Sequence, residues 1–228
     1  MTTQKGSSKR QLGIPCKSGV SVMVDYLTYH YRRGPEPFQS LSALPDMDAV
    51  QRMKDLYVEG SVMWERFKDP HQYLQDRRQT EQWLHKEFIA KGGDPQEPYP
   101  IYMMLGRSKW ADRMADAATL AITAEMQVPL SIFRECDVSF TYPDSMISHW
   151  FGRDKPIEYY QPDYHGKVFT LSEILSIVEI KGLPEEGWET NTPDSLPHYI
   201  EAQVWNRTLL LEYKRQLDGD KRSKQEQE

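Results

Sequence analysis

The chain has 228 residues, 39% hydrophobic and 27% charged, which suits one sizeable core and argues against disorder throughout. A net charge of −6 argues against the broadly basic surface that non-specific binding to phosphate backbones requires. The two cysteines, Cys16 and Cys136, form no CxxC and have no histidine at ligand spacing, so neither a disulfide framework nor a zinc site is expected.

No segment approaches the run of about 18 apolar residues that a membrane span needs. The opening MTTQKGSSKRQLGIP lacks the apolar stretch of a secretory signal. The expectation is a cytoplasmic protein without membrane contact. Residues 1–19 are polar and read as a flexible tail, 20–213 as a single domain, and 214–228 as a flexible charged tail.

Residues 20–33 are rich in β-branched and aromatic side chains and stop at Gly34-Pro35, which predicts a strand. Pro45-Asp46 opens a helix in which Met47, Val50, Met53 and Tyr57 recur at helical spacing, and Gly60 stops it. Asp69 before Pro70 is an N-cap followed by proline at the first helical position, and that helix runs to Gly92-Gly93. Residues 99–106 read as a buried strand. The stretch 109–126 is Ala-rich and then alternates through Leu120, Ile122, Ala124 and Met126, so its second half is assigned to a strand.

Residues 128–133 read as one helical turn before a strand at 137–142, after which Pro143-Asp144-Ser145 turns the chain. Thr170 to Glu173 is a capping box, and Leu171, Ile174, Leu175 and Val178 share one face of the helix it starts. Gly182-Leu183-Pro184 ends it. Residues 198–205 form a late strand, with Thr208 to Tyr213 expected to pair with it. Strands near both ends with helices between them predict an α+β fold, its sheet mainly antiparallel or mixed.

Strand alternation sorts the polar residues into faces. In the late strand, Ile200, Ala202 and Val204 share the core face, and Tyr199, Glu201, Gln203 and Trp205 the other. That second face is either a ligand surface or a solvated side of the sheet. In the middle strand, Ser139 and Thr141 lie together opposite Val138, Phe140 and Tyr142, either to bond a ligand or to face water. In the first strand, Thr28, His30 and Arg32 share a face suited to a diphosphate or ribose, although a lone strand histidine is commonly structural.

Arg77 or Arg78, with Glu81, falls within the apolar stripe of the helix after Pro70, as an ion-pair brace at the domain's rim or as groups facing a cleft. His165, in the turn Asp163-Tyr164-His165-Gly166, is a weaker catalytic candidate. Walker-type loops, GxGxxG, HExxH and GxSxG are absent, which argues against P-loop enzymes, Rossmann dehydrogenases, zincins and α/β-hydrolases.

Taken in order, YLTYHYRR, VSFTYPDS and YIEAQVW resemble the three-part active-site plan of ADP-ribosyltransferase-like domains. The resemblance implies that His30 or Arg32 holds NAD, with Tyr199 and Gln203 on the cofactor-binding face. It implies that Ser139 and Thr141 support the pocket and that Glu201 is the key carboxylate. It further implies NAD as substrate without a metal, and a macromolecular acceptor, protein or nucleic acid, in a toxin or defence setting.

Two departures stand out. Tyr31-Arg32 follows His30 where many members carry Gly-Thr or Gly-Ser, and Glu201-Ala202-Gln203 replaces the family's Q/E-x-E. The aromatic and methionine content also fits a non-catalytic binding module, an immunity or accessory protein with a protein partner. A hydrolase or nuclease using Asp144, Glu201 and a histidine is the third reading.

Overall fold

The structure, a computed structural model, describes residues 24–32, 37–115, 119–120, 123–184, 188, 193 and 195–225. The tail expected at 1–19 lies outside these residues. Among the described residues, five strands form one antiparallel sheet: β1 (Tyr26–Arg32), β2 (Ile101–Leu105), β3 (Thr123–Pro129), β4 (Val138–Thr141) and β5 (Glu201–Val204). Their order across the sheet is β3-β1-β2-β5-β4. Six α-helices lie among the same described residues: α1 (Asp46–Leu56), α2 (Pro70–Ala90), α3 (Lys109–Met114), α4 (Ser145–Asp154), α5 (Leu171–Lys181) and α6 (Arg207–Gln225). The fold is α+β, as the distribution of strand and helix signals predicts.

Local signals act where expected. The Asp69 side chain accepts from the Gln72 N–H at 3.0 Å, with proline in the first turn of α2. The capping box of α5 is complete, Thr170 and Glu173 each bonding the other's backbone N–H. The turn expected at 128–133 is a 3-10 turn over Leu130–Ile132, with Val128 and Pro129 still in β3.

The end of the chain corrects the sequence reading. Thr208 to Tyr213 does not pair with β5 but lies in α6, which also takes in the charged segment from Lys214 to Gln225; the last three residues of the expected tail lie outside the described residues. Leu209, Leu211 and Tyr213 imitate the period of a strand. The fully buried residue, however, is Leu210, and charged pairs at helical spacing, Lys214 with Asp218 and Glu212 with Arg215, extend the helix.

One face of the sheet carries the main core. Leu27, Met103, Phe140, Ala202 and Val204 pack there with Ile174 and Val178 of α5 and Leu210 of α6. At roughly 25 cal/mol for each Å² of apolar surface removed from water, this cluster is the principal source of stability. On the opposite face, Leu84 and Phe88 of α2 pack against Trp205 and Val168. A further cluster joins α1 to the start of α2 through Val50, Met53, Trp64, Phe67 and Leu74. The second face is therefore covered only in part by apolar packing. What lies beneath the rest of it is polar.

Candidate functional site

Register aligns the polar residues across the strands. Thr28 pairs with Met104, Met104 with Glu201, and Glu201 with Thr141; one row along, Tyr102 pairs with Gln203 and Gln203 with Ser139. A cleft of about 990 Å³ opens between this face and a wall made by α2, the turn before it and the start of α4. From the sheet it is lined by Thr28, His30, Arg32, Tyr102 and Glu201, with Tyr199 just before β5. From the wall come Arg66, Tyr73, Arg77, Asp144, Ser145 and Trp150. First and late strands thus share one cleft.

The middle strand contributes from behind. Ser139, Thr141 and Gln203 are fully buried and lie outside the lining. The Trp205 indole N–H donates to Ser139 Oγ at 2.9 Å, and Ser139 Oγ donates to Gln203 Oε1 at 3.0 Å. Gln203 Nε2 donates to Thr141 Oγ1 at 3.0 Å and to Glu201 Oε2 at 3.2 Å. Ser139, Thr141 and Gln203 therefore fix the Glu201 carboxylate rather than meet a ligand. A buried network in which each group has its partner is rigid, because each unpaired group would cost roughly 1–3 kcal/mol.

Glu201 is 9% exposed, and its Oε2 also accepts from the backbone N–H of Ser145 at 2.9 Å. Asp144, next to that donor, caps α4 by accepting from the Ile147 N–H at 2.9 Å. Burial, and then the neighbouring Asp144 charge, raise the Glu201 pKa to about 7, against the hydrogen bonds from Ser145 and the positive charge of Arg77. Burial likewise raises Asp144, opposed by the Ile147 N–H and by Arg66 and Arg77. The hydroxyls of Tyr102 and Tyr199 are held well above their ordinary range, first by burial and then by the carboxylates of Glu81 and Glu201 respectively. The result is a carboxylate pair set among tyrosines, an environment suited to a planar cation.

The charged stripe of α2 divides. Arg77 faces the cleft, while Glu81 beneath it has a fully buried side chain. Arg78 instead bonds Asp46 at 2.8 Å and the Ser42 carbonyl at 3.3 Å, a brace between the middle of α2 and the start of α1. Of the β1 candidates, His30 lies 3.4 Å from Glu125 on the adjoining strand, both about two-fifths exposed, and Arg32 is exposed at the strand's end.

His165 stands away from the cleft. It is 3% exposed, burial pushes its pKa down to about 4, and its Nδ1 accepts from the Gln161 N–H at 3.0 Å. It is a neutral packing residue of the core around Tyr142 and Phe151. Close backbone contact holds this turn in place: a Cβ on Gly152 of α4 would lie 2.3 Å from the Gly166 Cα.

Sequence reasoning missed Arg66, Tyr73 and Tyr102 as cleft residues. Tyr102 sits on the polar face of β2, so alternation through Tyr102 and Met104 carried the signal. Arg66 and Tyr73 had none, since they reach the cleft only through the docking of α2 and the turn before it on the sheet. Among the described residues, no group of three or more His, Cys, Asp or Glu side chains is arranged to hold a metal ion, and no helix is long and apolar enough to cross a membrane. Comparisons with family models, curated proteins and solved structures return no match.

Proposed function

We propose that the cleft binds NAD and that the chain transfers ADP-ribose to a macromolecular acceptor, with Glu201 as the catalytic carboxylate. The observation that carries this reading is the position of Glu201: at the cleft floor, held by Ser145 and Gln203, in the same cleft as His30 and Arg32. In such a reaction the bond between ribose C1′ and the nicotinamide nitrogen breaks, and its electron pair leaves with neutral nicotinamide. Positive charge develops on the ribose. A desolvated, fixed carboxylate stabilises that charge more strongly than water does. The acceptor nucleophile then bonds C1′ and releases its proton to the medium.

The tyrosines and paired carboxylates suit the pyridinium ring, whose cationic charge is present only before the bond breaks. A cleft of about 990 Å³ is of dinucleotide size. The non-catalytic reading draws on exposed apolar residues such as Ile157, in the turn after α4, and Ile180 of α5, which lie on separate parts of the chain. The buried carboxylate network favours chemistry over simple docking.

Nicotinamide release from NAD by wild-type protein and by Glu201→Gln tests the reading. The variant is expected to lose about 10²–10³-fold in rate without a fall in melting temperature. Equal release by both proteins, or none by the wild type at saturating NAD, would remove Glu201 from the chemistry.

A further inference from the structure

We propose that Arg66 and Arg77, on the helical wall opposite the sheet, form the anion clamp of the cleft and take a diphosphate group. The assignment of that diphosphate to NAD rests on the functional reading above; the anion site itself rests on the two arginines.

Arg77 is held from behind. Its Nε donates to Ser42 Oγ and to Glu81 Oε1, both at 3.1 Å, and its guanidinium carbon lies 4.4 Å from the centre of the Tyr102 ring. Glu81 Oε1 also accepts from the Tyr102 hydroxyl at 3.2 Å, whereas the buried Oε2 has no partner. These bonds engage Nε and one face of the guanidinium, and the side chain of Tyr73, another group of the cleft lining, bonds it as well; the remaining terminal N–H groups are the part that can meet a ligand. Burial opposes the Arg77 charge, but Glu81 and the neighbouring tyrosines outweigh it and hold the group firmly protonated.

Stability does not account for this arrangement. A buried ion pair is commonly no more stable than an apolar pair of the same volume, and an unpartnered carboxylate oxygen adds a desolvation cost. Presenting a charged, pre-aimed guanidinium to a half-enclosed cleft does account for it. A planar fork of donors matches phosphate oxygens better than an ammonium would.

Arg66 supplies a second, differently held guanidinium. It lies on the turn before α2, 5.1 Å from the Phe67 ring centre and 5.9 Å from that of Trp64. Aromatic contact steers the group while leaving its N–H donors uncommitted. No carboxylate of the described residues lies within ion-pair distance of it. His30, by contrast, already faces Glu125. With Asp144 and Glu201 in the same cleft, the lining carries both signs of charge, and a ligand joining a diphosphate to a cationic ring complements both.

Titration calorimetry with inorganic pyrophosphate and with ADP-ribose tests the clamp on the full chain. Wild type is expected to bind both, Arg77→Met to weaken each by roughly tenfold or more, and Arg66→Met to weaken them several-fold. Arg66 is exposed, so its substitution is a test that does not disturb the buried pair. No pyrophosphate binding by wild type, or binding unchanged in both variants, overturns the clamp. Pyrophosphate binding without nicotinamide release leaves the clamp standing and removes the transferase reading; release without pyrophosphate binding does the reverse.

Discussion

On one face of the sheet, Met103, Ala202 and Phe140 stand in a row across β2, β5 and β4; on the other, one residue along, Met104, Glu201 and Thr141 do the same. The first row is sealed under α5 and α6 by apolar contact. The second is no less dry at Thr141, which is fully buried, yet its order comes from hydrogen bonds that end at a carboxylate lining an open cleft. The same strands thus build a face whose purpose is cohesion and a face whose purpose is to hold one charged group still. Apolar packing tolerates exchange among side chains of similar volume, whereas a polar network fails at its first unpaired member.

Truncation in the apolar row should break the protein outright. Phe140→Ala is expected to cost about 3–5 kcal/mol in denaturant unfolding, because it empties a fully buried ring position between β5 and the α5 helix. A loss below about 1 kcal/mol would mean that this face is not the principal core.

Glu201→Gln sharpens the contrast, because its effect should depend on pH and be smaller. The folded protein raises Glu201 from an ordinary 4.5 to about 7, so between these values the folded state binds more protons than the unfolded chain. Wild type therefore loses stability relative to the variant as pH rises from 4.5 through 7, by an amount on the order of 3 kcal/mol, and the difference is constant above that window. Asp144 acts in the same direction in both proteins. His165, lowered to about 4 by burial, acts the opposite way, its contribution being lost as pH falls from its ordinary 6.5. The difference between wild type and variant removes the His165 contribution and reports Glu201 together with its interaction with Asp144. Melting curves from pH 5 to 8 read it, and curves that stay parallel would contradict a desolvated carboxylate.

Much of this contrast is legible in the sequence. Alternation in β5 separates Ile200, Ala202 and Val204 from Tyr199, Glu201 and Gln203, and in β1 it groups His30 and Arg32 with Thr28. The ends of α2 are legible because Asp69-Pro70 and Gly92-Gly93 act locally. The helices α4 and α6 are not. Leu209, Leu211 and Tyr213 alternate like a strand, although the buried position in α6 is Leu210. Pro143-Asp144-Ser145 reads as a turn because the same residues that turn a chain also cap α4.

The roles of Ser139 and Thr141 are also hidden. Their face is visible, but whether it meets a ligand or a neighbouring glutamine depends on Gln203, more than sixty residues later in the chain. The wall of the cleft is hidden for the same reason. Arg66 and Tyr73 come to share a cleft with Glu201 only through long-range docking, which leaves no periodicity to read.

A structure of the protein with a non-cleavable NAD analogue tests the central claim most directly. The account predicts the nicotinamide ribose against the Glu201 carboxylate, with the ring among Tyr73, Tyr102 and Tyr199. An analogue bound away from Glu201, or none bound at saturating concentration, would contradict it.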